Sequence, residues 1–165
     1  MMSTSTVVKV GIADMNVVDS GSSIRTSGLG SCIGVVLYDE QIGIAGMVHV
    51  MLPHSSIGNE TKPNPAKYAD TGIEELIRKL KIRGANMKRL QCKMAGGAQM
   101  FQFQSKSDVM RIGPRNAEAV KEVLLKHGVP VVAEDLGGNK GRTIEFFTST
   151  GILHVRTVNE GTKEL

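Results

Sequence analysis

One cysteine and one histidine are the residues of this chain best suited to nucleophilic chemistry. Cys32 ends the glycine-rich segment 26–32 (TSGLGSC), and His49 follows within the next apolar stretch. A thiol attacks a carbonyl carbon only when its proton is removed, and a nearby imidazole can take that proton. The pair therefore predicts a thiol nucleophile with a histidine base.

The glycines of this segment predict a second part of the same site. Gly28 and Gly30 can adopt backbone angles that a side chain would block, so bare N–H groups can converge beside the sulfur of Cys32. We expect the N–H groups around Gly30 and Ser31 to hold the oxyanion that forms when a carbonyl is attacked.

Each of these residues also has a purely structural interpretation. A free cysteine is most often a small residue of the core, and the residues alone support core and nucleophile about equally for Cys32. Strand alternation places Met47, His49 and Met51 on one face, so His49 could be a half-buried packing residue. Thr26 could be an ordinary strand residue bonded to backbone.

The flanking elements predict how Cys32 and His49 meet. Residues 33–38 are apolar and β-branched, residues 39–41 read as a turn, and residues 42–52 return as a second strand. Antiparallel pairing of the two strands places the start of the first beside the end of the second. The thiol and the imidazole are therefore expected at one end of a hairpin.

The rest of the chain predicts an α+β fold. Thr71 and Glu74 fit a capping box at the start of a helix that ends at Gly84, and a second helix is predicted over residues 114–127. Further strands are predicted at residues 7–13, 24–27, 90–94, 129–133, 143–147 and 152–158, with loops at 14–23 and 53–67. We expect packed, mainly antiparallel sheets flanked by the two helices, in a single domain spanning residues 1–165.

Composition narrows the functional classes. The chain has 165 residues, 41% of them hydrophobic and 22% charged, which is typical of a soluble globular protein. The net charge of +4 is dispersed, so we expect no nucleic-acid partner. Two cysteines make no disulfide framework, and we find neither an apolar run of membrane-spanning length nor a signal peptide. These features favour a cytoplasmic protein without membrane insertion, and the absence of a Cys-x-x-Cys pair favours no metal or cofactor.

Four segments carry a resemblance to a known family. They are residues 27–32 (SGLGSC), 49–53 (HVMLP), 95–98 (AGGA) and 132–142 (VAEDLGGNKGR). In this order they resemble the CheD family, the chemoreceptor glutamine deamidases of bacterial and archaeal chemotaxis. The resemblance implies a cysteine hydrolase that converts receptor glutamines to glutamates, with packed β-sheets and flanking helices related to deamidating bacterial toxins.

The resemblance also implies roles for individual residues. It makes Cys32 the nucleophile, His49 the base and Thr26 the third member of a catalytic triad. It implies methyl-accepting chemotaxis receptors as substrates, and as partner the phosphatase CheC, which imitates a receptor helix. Phe101 is the expected contact with CheC, and Ser27 is a further expected contact with substrate or partner.

Two other functions use the same residues. A non-catalytic module could regulate receptors or CheC by docking alone. An esterase acting on methyl-glutamate would need the same nucleophile and base, and the sequence does not separate amide from ester cleavage.

Overall fold

A computed structural model describes residues 6–58, 61–100 and 111–165. They form ten β-strands and two α-helices. The elements are β1 (Val7–Val10), β2 (Met15–Val18), β3 (Ser23–Leu29), β4 (Ile33–Asp39), β5 (Ile44–Val50), α1 (Ala69–Ile82), β6 (Gln91–Gly96), α2 (Ile112–Lys126), β7 (Val131–Leu136), β8 (Arg142–Phe147), β9 (Ile152–Thr157) and β10 (Gly161–Glu164). Short 3₁₀ turns at Ser55–Ile57 and Pro65–Lys67 interrupt the loop between β5 and α1.

The strands form two five-stranded sheets. The first sheet has the order β1-β3-β8-β9-β10, and the second has the order β2-β5-β4-β6-β7. Neighbouring strands are antiparallel except for the parallel pairs β1–β3 and β6–β7. The predicted fold class, mainly antiparallel sheets with flanking helices, is confirmed.

Side-chain alternation along β4 explains how the layers pack. Val36 and Tyr38 face the first sheet and join a core that includes Ile144 and Phe146. The intervening side chains, such as Val35, face the opposite way and pack against α1 and α2. A strand covered on both faces buries every side chain, which is why its sequence is almost wholly apolar.

The predicted hairpin that carries the cysteine and the histidine is confirmed. Strands β4 and β5 pair antiparallel, with Ile33 opposite Val50 and Gly34 opposite His49. A Cβ at Gly34 would lie 2.5 Å from the Cδ1 atom of Ile144. The glycine opposite the histidine therefore lets the first sheet approach closely at this point.

Two predictions of local structure are wrong. Residues 14–23 were expected to be a loop, but they contain strand β2, whose Met15 and Val17 pack against the helix-side core. The polar residues around β2 hide the strand in the sequence because it lies at the sheet edge and pairs only with β5.

The predicted capping box is also wrong. Helix α1 begins at Ala69, two residues before Thr71, and its N-cap Tyr68 makes no side-chain cap. The Thr71 hydroxyl instead donates to the carbonyl of Pro65 at 2.7 Å, within the turn that precedes the helix. Strand β10 was not predicted, because all four of its residues are exposed and only its pairing with β9 makes it a strand.

No helix in the described ranges is both long enough and apolar enough to cross a membrane.

Candidate active site

A hydrogen bond between Thr26 and His49 joins the two sheets. Thr26 lies on β3 of the first sheet and His49 on β5 of the second, and Oγ1 and Nδ1 are 2.8 Å apart. Both side chains are buried, with 2% of Thr26 and none of His49 exposed. Two of the three predicted triad residues are therefore in direct contact.

The partners of Thr26 determine which imidazole nitrogen carries the proton. The Thr26 hydroxyl donates its single hydrogen to the carbonyl of Val10 at 2.7 Å. Its oxygen must then accept from Nδ1–H of His49, which leaves Nε2 as the unprotonated nitrogen. Nε2 is buried and has no hydrogen-bond partner among the described residues, so its lone pair is available.

Burial keeps His49 neutral. Removal of the ring from water lowers the pKa of His49 to about 4, because no carboxylate compensates for the lost hydration of the charged form. A threonine hydroxyl can orient the ring but brings no charge to stabilise an imidazolium. The imidazole is consequently a base with an empty acceptor site at neutral pH.

Cys32 lies just before β4 and packs against the core between the sheets. Strand periodicity gives it the same face as Gly34, which is directly opposite His49. In a regular antiparallel ladder such diagonal neighbours have Cα atoms about 7–8 Å apart. The thiol and Nε2 thus share one end of the hairpin, and no hydrogen bond joins them.

The Cys32 thiol is partly buried, and this burial raises its pKa. Its own backbone N–H opposes the shift, because that group stabilises the thiolate. Burial therefore acts on both groups in the same sense, favouring a neutral thiol beside a neutral imidazole.

The backbone around Cys32 is fixed through three consecutive carbonyl groups. The Ala98 N–H donates to Gly30 at 2.9 Å, and the Gly97 N–H donates to Cys32 at 2.9 Å. The carbonyl between them, that of Ser31, accepts from the side chain of Asn116 at 3.0 Å. The turn that carries Cys32 is thus held from outside at each of these three carbonyls.

Gly96 is required for this support. It has φ +122°, and a Cβ on it would run into the carbonyl oxygen of Cys32. The sequence predicted only that Gly96 and Gly97 end a strand. The structure shows that they also contact the backbone of Cys32.

The two predicted oxyanion donors differ in the structure. The Gly30 N–H already donates to the carbonyl of Gly28 at 3.1 Å. Among the described residues, the N–H groups of Ser31 and Cys32 have no backbone acceptor. Within the described ranges, the backbone donors left for an oxyanion are therefore those of Ser31 and Cys32, and the Cys32 N–H also faces its own sulfur.

Asn116 is the site-bordering residue that sequence reasoning missed. It lies on α2, is fully buried, and donates from Nδ2 both to Ser31 and to Met51, at 3.0 and 2.8 Å. Its spacing from Val120 places it on the apolar stripe of the helix. A buried-stripe asparagine is the signal that could have found it, because such amides need partners.

The two residues predicted to contact substrate or partner are Ser27 and Phe101. Ser27 is exposed, at the bulge of β3 between its pairings at Thr26 and Leu29. Phe101 lies outside the described residues. Met100, just before it, is 46% exposed, and its side chain lies against Gly30, where an added Cβ would be 3.2 Å from Cγ.

Cys92, His127 and His154 lie on other parts of the fold. Cys92 is fully buried among residues that face the helices, and burial raises its pKa strongly. His127 caps α2 within 3.6 Å of a Glu74 oxygen, and His154 packs on Phe147 of the first sheet. Within residues 6–58, 61–100 and 111–165, no three His, Cys, Asp or Glu side chains are grouped to hold a metal ion.

The fold and the side chains together define a class. Two packed sheets with helices on one side present a thiol, a neutral imidazole and an orienting hydroxyl, which is the side-chain set of a cysteine hydrolase. A crystal structure of a Neisseria meningitidis protein of family DUF152 has a similar fold, with a TM-score of 0.53 and 10% identity. That similarity covers 82% of this chain and 65% of the other.

The chain belongs to the CheD family. The family model described as "CheD chemotactic sensory transduction" matches residues 51–157. The chain is 56% identical over 159 residues to the chemoreceptor glutamine deamidase CheD of Halalkalibacterium halodurans, covering 96% of this chain and 98% of that protein. It is 49% identical over 159 residues to the protein of the same name from Bacillus subtilis, covering 96% of each chain. The predicted family is confirmed, and these relatives bear the name of the predicted enzyme.

Proposed function

We propose that this chain is a protein-glutamine glutaminase that deamidates glutamine side chains of methyl-accepting chemotaxis receptors, with Cys32, His49 and Thr26 as its triad. One observation carries the proposal. The Nδ1–H of His49 is held by Thr26, while its buried Nε2 is unpartnered at the hairpin end where Cys32 lies. The names of the relatives supply the substrate class.

The first step is attack on the carboxamide carbon. Because burial favours the neutral thiol, the proton must leave Cys32 as the sulfur attacks, and Nε2 of His49 accepts it. The N–H groups of Ser31 and Cys32 stabilise the oxyanion, and the loss of one such donor typically costs about 3 kcal/mol.

The second step releases ammonia and regenerates the thiol. The imidazolium of His49 returns its proton to the departing nitrogen, the C–N bond breaks, and a thioester on Cys32 remains. Nε2 then activates a water that attacks the thioester, giving glutamate and the free thiol. The net change is the addition of one water and the loss of one ammonia.

The decisive experiment incubates the chain with a receptor cytoplasmic fragment and maps peptides by mass spectrometry. A one-dalton gain at specific glutamines is expected from the parent chain and not from Cys32→Ala. Cys92→Ala is the matched control, because Cys92 is the other free cysteine and lies on the opposite face of the same sheet. A mass gain that survives Cys32→Ala would contradict the proposal.

Two further tests address ester cleavage and docking without turnover. Receptors carrying methyl-glutamate would lose their methyl groups if the site also cleaves esters. A Cys32→Ala chain that restores chemotaxis in cells would instead favour a docking module without turnover.

We also propose that CheC binds over this site and competes with receptors, in the cytoplasm. The support is the family resemblance together with the exposed rim of the nucleophile turn, where Ser27 and Met100 are accessible. Ser27→Arg is expected to weaken both CheC binding and receptor deamidation. A Ser27→Arg chain that keeps both CheC binding and receptor deamidation would argue against a binding surface shared by CheC and receptors.

A further inference from the structure

We propose that Asn116 is a positioning residue that holds the nucleophile segment and the histidine segment at a fixed separation. This inference rests on the proposed function, and it adds to that function a residue on α2 outside the triad. The side-chain hydrogen bonds of Asn116 do not reach any of the three triad side chains. It acts on them through the backbone at Ser31 and Met51.

The need for such a residue follows from the end of the β4–β5 ladder. The last backbone pair is Ile33 with Val50, so the next residues on each strand are without a ladder partner. The N–H groups of Met51 and Leu52 both turn away to the carbonyl of Lys67. Beyond the last pair, no described backbone hydrogen bond joins residues 31–32 to residues 51–52, and we call these two segments the fork.

The side-chain amide of Asn116 bridges this fork. Its Nδ2 donates one hydrogen to the carbonyl of Ser31, directly before Cys32, and the other to the carbonyl of Met51, two residues after His49. Both acceptors are carbonyl oxygens, so only the NH₂ end of the amide can face them. The Asn116 amide thus links the two segments where no backbone hydrogen bond of the β4–β5 ladder joins them.

The approach of helix α2 is fitted to this bridge. Gly113 lies one turn before Asn116 on the same helix face, and an added Cβ there would run into the carbonyl of Ala98. The same Cβ would lie 2.6 Å from the carbonyl oxygen of Gly97. Residues 97–98, which support Gly30 and Cys32, therefore also contact helix α2 at Gly113. This contact positions the helix so that the amide of Asn116 lies at the fork.

The closest alternative is that Asn116 only satisfies two buried carbonyls and contributes to stability. A structural role would lower the melting temperature without a specific effect on turnover. A positioning role changes turnover out of proportion to stability, because a displacement of about 1 Å at a reacting pair can reduce the rate about 100-fold.

The test compares Asn116→Leu and Asn116→Asp with Val120→Ala in the full chain. Val120 is the matched control because it is fully buried on the same helix and belongs to the helix-side core. With the receptor fragment as substrate, Asn116→Leu is expected to lower kcat about 10- to 100-fold with little change in KM. Asn116→Asp offers at most one hydrogen to the two carbonyls. Its kcat is expected to lie between that of Asn116→Leu and that of the parent chain.

A second arm needs no receptor. Iodoacetamide alkylation of Cys32 is followed against pH by mass spectrometry, with Val120→Ala again as control. Opening of the fork admits water to the thiol, so Asn116→Leu is expected to move the alkylation midpoint down by roughly one pH unit. Where Asn116→Leu does not fold, Asn116→Ser, which is neutral and offers one hydrogen to the two carbonyls, replaces it in both arms with a smaller expected change in the same direction.

The two arms separate this inference from the proposed function. A parent chain that leaves receptors unchanged, yet shows the shifted alkylation midpoint in the variants, overturns the proposed function and keeps the positioning role. A parent that deamidates, with Asn116 variants that match Val120→Ala in kcat and in alkylation midpoint, overturns the positioning role alone.

Discussion

The hydrogen bond between Thr26 and His49 crosses from one sheet to the other. Its donor nitrogen belongs to a strand that also carries the helix-side core, and its acceptor oxygen belongs to the opposite sheet. The orientation of the imidazole therefore depends on how the two sheets are packed. If His49 is the base we propose, its orientation is coupled to sheet packing through one bond of 2.8 Å.

Thr26→Val tests the value of that bond. Valine has nearly the same shape but cannot accept from Nδ1–H or donate to Val10, so two buried groups lose their partner. We expect a loss of about 1–3 kcal/mol in the free energy of unfolding and a clear fall in kcat. Denaturant unfolding and receptor deamidation measure the two effects.

Thr26→Ser is the control for that substitution, because serine keeps the hydroxyl. It is expected to retain most of the activity, while Cys32→Ala and His49→Ala remove it. The activity of Thr26→Val should lie between that of Thr26→Ser and that of the two inactive variants. The reason is that the neutral hydroxyl it loses orients the ring without stabilising its charge. Activity of Thr26→Val at the parent level would show that the ring is oriented by packing alone.

The pKa of His49 predicts how stability depends on pH. The folded-state pKa is lowered to about 4, below an unfolded value of about 6.5, so the unfolded chain binds this proton more tightly. The contribution of His49 to stability is therefore fully present above pH 6.5, is lost as the pH drops from there toward 4, and changes no further below that. The total loss due to this residue is about 3 kcal/mol.

Urea unfolding at a series of pH values between 7 and 4 measures this slope. His49→Gln removes the titrating group and is expected to flatten it over the same range. His54→Gln is the matched control, since it changes a partly exposed histidine of the loop beyond β5. Equal slopes in the parent and in His49→Gln would assign the acid sensitivity to other groups.

The raised pKa of Cys32 predicts slow alkylation at neutral pH. In the native chain, the rate with iodoacetamide should still be rising above pH 9, because burial disfavours the thiolate. In urea, the same cysteine should alkylate with the midpoint of an ordinary thiol. A native midpoint below that of the unfolded chain would indicate a preformed thiolate, and with it a different first step.

The hairpin, and the position of Cys32 and His49 at one end of it, could be predicted from the sequence because their signals are local. Cys32 and His49 flank two apolar runs joined by a polar turn, and antiparallel pairing alone brings their ends together. The contact between Thr26 and His49 was reached only through the family resemblance. Nothing in strand periodicity tells which residues of two different sheets will touch.

The supports of the nucleophile turn could not be predicted in this way. Asn116 reaches the fork only because α2 packs at one particular place, and Gly96 is constrained by a carbonyl distant in sequence. Strand β2 was missed for the same reason, since an edge strand with polar residues is defined by its neighbour. Long-range packing, rather than local propensity, decides each of these three cases.

Residues 96–98 lie against the turn that carries Cys32, and we call them the backing segment. Gly96→Ala tests whether the turn depends on the backing segment. The alanine must adopt φ +122°, and its Cβ must displace the carbonyl of Cys32. The conformational strain and the clash together are expected to cost about 2–5 kcal/mol of unfolding free energy. Gly84→Ala is the matched control, because Gly84 has φ +102° with open space around its Cβ position. It isolates the conformational strain, at about 1–2 kcal/mol.

The comparison of the two glycine variants separates activity from stability. Gly84→Ala should deamidate receptors at the parent rate at any temperature where it is folded, because Gly84 follows α1 and lies outside the nucleophile turn. Gly96→Ala should be impaired even where it is fully folded, since the shift of the Cys32 carbonyl also moves the N–H groups of Ser31 and Cys32 beside the sulfur. If both variants lose activity only in proportion to their unfolded fraction, the backing segment stabilises the chain without shaping the oxyanion site.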